Sequence, residues 1–210
     1  MPVVKVCGIT EKEDALSIAS LGVWALGFIF VPESPRYVSP EKVRDIVSCL
    51  QGKVLTVGVF QNAPFGEVRR IRDFCGLDLL QLHGEEDPSF CERLGRGVIK
   101  AFGVGEGVFP ENIEEYVPWV SYILFDTVHG GKRGGTGRPF PWKSIAHLLQ
   151  SIPRPVIIAG GLTAENVVSL LEEIHPFALD VNSGVERAPG KKDLGKLKEF
   201  LAVVQRKVAL

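Results

Sequence analysis

Val54-Leu-Thr-Val-Gly-Val-Phe60 and Leu79-Leu-Gln-Leu-His83 decide the fold. Both are apolar runs without clean polar/apolar alternation, as expected of strands buried on both faces of a parallel sheet. Their ends lie 23 residues apart, room for one helix. The unit recurs in both directions: Val3–Cys7 and Ala25–Phe30 precede it, and Val98–Phe102, Tyr122–Asp126, Val156–Ala159 and Phe177–Ser183 follow. Parallel strands cannot be joined by a tight turn, so eight of them need helical crossovers. Two architectures fit, a (β/α)8 barrel and an open doubly wound sheet. The count of eight and a final helix to cover the edge favour the barrel, an α/β single domain over residues 1–210 with lean loops.

Helix start signals punctuate the gaps. Thr10-Glu11-Lys12-Glu13 fits a capping box, and Ser39-Pro40 and Asp87-Pro88 each place a capping side chain before a proline at the first helical position. Thr163 is expected to cap a helix whose Val167, Leu170, Leu171 and Ile174 share a face. The C-terminal segment is the clearest helix, with Leu194, Leu197, Leu201, Val204 and Val208 stepping by three and four residues.

Composition narrows the function classes. With 45% apolar and 23% charged residues among 210, the chain is an ordinary globular protein and neither disordered nor a disulfide scaffold. A net charge of −1, with no basic run interleaved with aromatics, argues against nucleic acid as a partner. The longest mostly apolar stretch, Leu21 to Pro32, is too short for a membrane span, and the first residues carry no signal-peptide pattern. A cytoplasmic location is expected. Cys7, Cys49, Cys75 and Cys91 form no C-x-x-C pair, so they read as reduced thiols and no metal is expected.

In a barrel the active site lies at the carboxyl ends of the strands. Cys7 ends VVKVC, His83 ends LLQLH, Asp126 ends SYILFD, and Asp180 lies in FALDVNS. Alternation puts Lys5 on the face of Cys7, deeper in the sheet, where its charge needs a partner, either Asp180 or another neighbour. Each residue also has an ordinary reading: Cys7 as a small core hydrophobe, Asp126 as a loop cap, His83 as a turn histidine. His129, His147 and His175 lack metal-ligand spacing and read as loop or solvated residues, and Cys49, Cys75 and Cys91 read as helix packing.

Gly160-Gly161 after the seventh strand and Ser183-Gly184 after the eighth are placed to let backbone amides approach a phosphate, with a plain turn as the alternative for Gly160-Gly161. Ser183-Gly-Val-Glu186 reads as a further capping box opening a short extra helix. The glycine-rich Gly130–Gly137 segment matches no nucleotide motif and reads as a lid. Arg36, set among Pro32, Pro35 and Pro40, is either a surface residue or a guanidinium held stiffly to receive a carboxylate.

These segments together resemble the phosphoribosylanthranilate isomerase family. The resemblance runs the length of the chain: Lys5-Val-Cys-Gly-Ile-Thr10, Gly27-Phe-Ile-Phe, Ser34-Pro-Arg-Tyr-Val38, Val57-Gly-Val-Phe60, Leu80-Gln-Leu-His-Gly84, Phe125-Asp126, Ala159-Gly-Gly-Leu162 and Asp180-Val-Asn-Ser-Gly-Val-Glu186. Asn182 stands where many relatives carry serine. The resemblance implies a (β/α)8 enzyme that performs an Amadori rearrangement, aminoaldose to aminoketose, on N-(5-phosphoribosyl)anthranilate without cofactor or metal. It assigns the general acid to Asp126, the general base to Cys7, the anthranilate carboxylate to Arg36, and the phosphate to the backbone around Gly160, Gly161, Ser183 and Gly184. His83 and Asp180 complete the expected substrate-binding set.

That assignment requires Asp126 to be held protonated and Cys7 to be pushed toward thiolate, for which Lys5 is the nearby cation. Two alternatives share the phosphate cradle. One is another sugar-phosphate isomerase or epimerase barrel, such as those of histidine biosynthesis, which place aspartates at both catalytic strand ends. The other is a catalytically silent barrel that binds a phosphorylated ligand. The expected partner is a small-molecule substrate, and exposed barrel-bottom loops leave room for a homodimer.

Overall fold

Each strand pairs parallel with the next, and the last returns to the first. β1 (Val3–Val6), β2 (Ala25–Ile29), β3 (Leu55–Phe60), β4 (Leu79–Leu82), β5 (Val98–Val104), β6 (Tyr122–His129), β7 (Val156–Ala159) and β8 (Ala178–Val181) close a barrel through the β5–β6 and β8–β1 pairings. The open-sheet alternative is thereby excluded. The coordinates are a computed structural model that describes residues 1–105, 110–129, 132–133, 146–147, 149 and 151–208. The Gly130–Gly137 segment read as a lid lies outside the described residues, apart from a short strand at Lys132–Arg133 antiparallel to the end of β6. No helix among the described residues is long and apolar enough to cross a membrane.

Around the barrel run α1 (Lys12–Ala19), α2 (Pro40–Leu50), α3 (Phe65–Cys75), α4 (Pro88–Leu94), α5 (Ile113–Tyr116), α6 (Val167–Glu173) and α7 (Leu194–Val208). Strand alternation divides the core in two. Inward residues are mostly small or β-branched, Ala25, Val57, Ile99, Ala101, Ile157 and Ala178 among them, and fill the barrel. Outward residues such as Val4, Val6, Leu26, Phe28, Phe125 and Leu179 pack against the helices. Both faces are therefore apolar, which is why the strands read as uninterrupted runs. Trp24 stacks edge-on with Tyr122 and Phe177 at 5.2 and 5.3 Å and packs against the lower end of the barrel interior.

Two helix caps form as expected: Ser39 Oγ accepts from Lys42 N at 3.3 Å, and Asp87 Oδ1 from Phe90 N at 2.8 Å. Three do not. Thr10 Oγ1 donates to Gly190 O instead of capping α1, which starts at Lys12 without a side-chain cap. α6 starts without a side-chain cap; Asn166 Oδ1 accepts from Thr163 N at 2.9 Å, tying the loop before the helix, and the Thr163 side chain bonds to Glu165 instead of capping. Ser183–Val185 forms a single 3-10 turn, and Glu186 turns away from it toward Arg36. In α7 the buried face is Leu197, Phe200 and Val204; Phe200 lies beside the stripe read from the sequence.

Outside the barrel, a buried clip joins the loops that follow β3 and β4. Lys100 Nζ donates to Gly84 O at 2.7 Å and to Glu86 Oε2 at 2.8 Å, and the Glu86 carboxylate also accepts from the amides of Asn62 and Gly84. Burial acts to raise the Glu86 carboxyl, but Lys100 and these amides outweigh it and hold its pKa below the usual value. A depressed folded-state pKa means stability that is present above the unfolded value, near 4.3, and is lost as pH falls through the folded one. Glu86→Gln is expected to destabilise by about 3 kcal/mol at pH 7. In denaturant titrations the gap to wild type should narrow as pH falls from the unfolded carboxyl range down through the lower folded-state value, where Glu86 itself protonates.

Candidate active site

Over the carboxyl ends of the strands opens a cavity of about 280 Å³ that takes in Cys7, Arg36, His83, Asp126, Gly160, Gly161, Asp180 and Ser183. Alternation explains the convergence: Cys7 continues the inward face of Val3 and Lys5, His83 that of Leu79 and Gln81, and Asp126 that of Tyr122 and Leu124. Gly184, the remaining residue of the expected set, approaches the seventh loop from behind; a Cβ there would clash with the Leu162 carbonyl.

Below the cavity Lys5 Nζ donates to Asp180 Oδ2 at 2.7 Å, with the lysine wholly buried. Their strands are in register, Lys5 opposite Asp180, so the pairing expected from sequence is set by the β1–β8 ladder. Burial opposes the Lys5 charge, but Asp180 and the Cys7 thiol outweigh it, and its pKa rises above the ordinary lysine value. Burial likewise pushes the Asp180 carboxyl up in spite of Lys5. For Cys7 the expectation is reversed. Lys5 does pull the thiol toward thiolate, but burial is the larger effect and Asp180 adds to it, so its pKa lies above the usual thiol value. Cys7 therefore rests as a neutral thiol at neutral pH.

Asp126 is also mostly buried, and its Oδ2 lies 3.3 Å from His83 Nε2. Across the imidazole, Gln81 Nε2 stands 3.0 Å from His83 Nδ1. Next to Asp126 comes the seventh loop, where Gly160 (φ +100°) and Gly161 (φ +62°) adopt backbone that L side chains rarely accept. A Cβ at Gly160 would clash with Thr127 and stand 2.8 Å from Asp126 Oδ1. Asn166 Nδ2 fixes this loop by donating to Gly161 O at 2.9 Å.

Arg36 differs from the free guanidinium suggested by its proline-rich loop. Its Nε and Nη2 donate to the Glu186 carboxylate at 3.0 and 2.7 Å, leaving the Nη1 edge for a ligand. Glu186 in turn accepts from Lys192 Nζ at 2.8 Å and Gly190 N at 3.1 Å, and Lys192 Nζ donates to Asn182 Oδ1 at 3.0 Å. Burial lowers the Lys192 pKa, and Glu186 offsets this only in part. Sequence reading missed Gln81, Glu186 and Lys192 as site residues. Glu186 was visible in the Ser183–Glu186 motif but fitted a capping box, and Lys192 sits in a Lys191-Lys192 pair that resembles a solvated turn. His147 and His175 are exposed, as expected of solvated positions, and Cys75 and Cys91 are packed. Among the described residues no group of His, Cys, Asp and Glu has the arrangement of a metal site.

Fold and site define a (β/α)8-barrel protein with a polar cavity at the mouth of the barrel. The family model for N-(5'-phosphoribosyl)anthranilate (PRA) isomerase matches residues 4–203. An N-(5'-phosphoribosyl)anthranilate isomerase of Pelobacter propionicus is 43% identical over 202 residues, 96% of this chain and 95% of that protein. A crystal structure of phosphoribosyl anthranilate isomerase in complex with reduced 1-(o-carboxyphenylamino)-1-deoxyribulose 5-phosphate superposes with a TM-score of 0.83 at 38% identity, covering 98% of this chain and 100% of the other. The structure of monomers generated from the dimeric Thermotoga maritima enzyme gives 0.82 at 35% identity, covering 98% and 99%. The chain belongs to the phosphoribosylanthranilate isomerase family, and its reaction is the conversion of N-(5-phosphoribosyl)anthranilate to 1-(o-carboxyphenylamino)-1-deoxyribulose 5-phosphate in tryptophan biosynthesis.

Glu186→Gln removes the carboxylate that orients Arg36. Steady-state kinetics should give a KM for phosphoribosylanthranilate raised roughly tenfold with little change in kcat, the pattern of lost uniform binding.

Proposed function

We propose that the whole chain acts as one catalytic domain in which Asp126 is the general acid and Cys7 the general base. The observation that carries this reading is the convergence of the β1 thiol and the β6 carboxyl on one cavity, with Arg36 and the Gly160–Gly161 loop also on its walls. Arg36 receives the anthranilate carboxylate on its open edge. The backbone around Gly160, Gly161, Ser183 and Gly184 receives the phosphate; glycine lets the two loops pack this closely, since a Cβ at Gly160 would clash with Thr127 and one at Gly184 with the Leu162 carbonyl. His83 and Asp180 line the same cavity and contact the bound sugar. Holding both anionic ends fixes the reacting carbons between acid and base.

Asp126 gives its proton to the ribose ring oxygen; the C1′–O bond breaks and the nitrogen lone pair forms the C=N bond of the open-chain Schiff base. Cys7 acts as thiolate once its proton has passed to Asp126, the proton that the acid step delivers; it takes the C2′ proton, the C–H electrons form the C1′=C2′ bond as the C=N pair returns to nitrogen, and the resulting enolamine relaxes to the ketone. Oxidation at C2′ balances reduction at C1′, so the chemistry calls for no external oxidant. Lys5 supplies the positive charge beside the sulfur when the thiolate forms. Neither the histidine-pathway alternative nor a silent binding barrel needs a thiol opposite the carboxyl.

Cys7→Ser and Asp126→Asn should fold normally and each lose about 10²–10⁴ in kcat, whereas Arg36→Met should mainly raise KM. Anthranilate fluorescence during turnover measures all three. A variant of Cys7 or Asp126 with near-normal kcat would remove that residue from the mechanism.

A homodimer is part of the proposal, supported by the exposed Met1 and Phe177 around a groove at the lower end of the barrel. Sedimentation equilibrium should return twice the 23.0 kDa chain mass, and Phe177→Glu should return the monomer. The four free cysteines accord with a reducing compartment, the cytoplasm.

A further inference from the structure

Gln81 shares the inward face of β4 with His83 and is almost wholly buried. Its Nε2 lies 3.0 Å from His83 Nδ1, and on the far side of the ring Nε2 of His83 lies 3.3 Å from Asp126 Oδ2. An amide nitrogen carries two hydrogens and no available lone pair, so the first contact is a hydrogen bond only when Nδ1 is bare. A neutral imidazole with a bare Nδ1 has its hydrogen on Nε2, directed at Asp126. Gln81 is also no ordinary core amide. Gln81 Oε1 and Asp180 Oδ1 are the two buried side-chain atoms without a hydrogen-bond partner among the described residues, and both residues line the cavity.

We propose that Gln81 is a positioning residue for the reaction: it holds His83 as the Nε2–H tautomer, so that His83 donates to Oδ2 of Asp126 and the acid proton sits on Oδ1. This rests on the reading of Asp126 as general acid. Oδ1 is the oxygen beside Gly160, on the side of the loop assigned to phosphate. When Oδ1–H breaks and the proton passes to the ribose ring oxygen, Asp126 is left as a carboxylate. The Nε2–H···Oδ2 bond then becomes charge-assisted, stronger after the transfer than before it. With the other tautomer a bare Nε2 would face Oδ2. Only a proton on Oδ2 could then bridge the two, and the acid would point into the imidazole instead of at the substrate.

The test reads the tautomer directly, by long-range ¹H–¹⁵N correlation on histidine-labelled protein at neutral pH, with His83 identified by the loss of its signals in His83→Asn. Wild type should have the Nε2–H pattern, a measurement that needs no Gln81 variant to fold. Gln81→Met, which removes the donor at similar volume, should give a mixture of tautomers and a kcat lower by about 10- to 100-fold, part of what a positioned acid supplies, with KM close to wild type. Gln81→Glu, which as a carboxylate can only accept, should at a pH where it is ionised move the hydrogen to Nδ1 and lower kcat further. An Nδ1–H signal in wild type, an unchanged tautomer in Gln81→Met, or a wild-type kcat in either variant would overturn the inference. These outcomes are separate from the fate of Asp126: full activity in Asp126→Asn removes the acid assignment whatever the tautomer, and loss of activity there with an unresponsive His83 removes only the role of Gln81.

Discussion

A lysine ammonium buried inside the barrel, 2.7 Å from a carboxylate on the neighbouring strand, is the constraint around which the mouth is organised. Taking either charge out of water alone costs several kcal/mol, and losing one partner leaves the other uncompensated, so Lys5 and Asp180 stand or fall together. The β1–β8 register places them opposite each other, which makes barrel closure a condition for the pair. Together they form the charged floor beneath Cys7. The thiol sits next to a cation, yet also next to that cation's partner and in a dry site, and this balance favours the neutral form. Lys5 pulls the sulfur toward thiolate, while burial, the larger effect, and Asp180 hold the proton on it.

A second ionic network holds the rim. Arg36, Glu186 and Lys192 form a line of alternating charge from the mouth into the protein, and Asn182 meets Lys192 Nζ at its inner end. Gly8, at φ +74°, passes so close that a Cβ would stand 2.7 Å from Asn182 Oδ1 and 2.8 Å from Arg36 Cδ. The guanidinium is thus oriented before any ligand arrives, which in its proposed role would lower the entropy cost of binding a carboxylate.

The strands were legible because a parallel barrel buries both faces of each one, and unbroken apolar runs of strand length arise in few other settings. Helix caps were legible only where nothing competed. Ser39 and Asp87 cap as their neighbours suggest, whereas Thr10 and Glu186 have distant partners, Gly190 and Arg36, that local spacing cannot register. The site divides in the same way. Cys7, His83, Asp126 and Asp180 were found because polar groups at the ends of buried strands are costly and so stand out. Gln81 was hidden inside LLQLH, although its place two residues before His83 already put both on one face. The direction of the Cys7 shift was beyond sequence, since Lys5 as a neighbour was visible but the extent of burial was not.

On the proposed assignment, a neutral thiol and a working base are reconciled by counting protons over the two groups. Turning a thiol and a carboxylate into a thiolate and a carboxylic acid moves one proton between Cys7 and Asp126 and leaves their summed charge unchanged. The cost is then the difference between two proton affinities inside one pocket, not the cost of ionising an isolated buried sulfur against solvent. Lys5 works on the sulfur end of that difference. On the carboxyl end the proposed donor from His83 to Oδ2 would lower the energy of the carboxylate that each transfer to substrate leaves behind. The same chemistry therefore draws on contacts from four strands, and closing the barrel is what brings Lys5 of β1, His83 of β4, Asp126 of β6 and Asp180 of β8 to bear on one proton inventory.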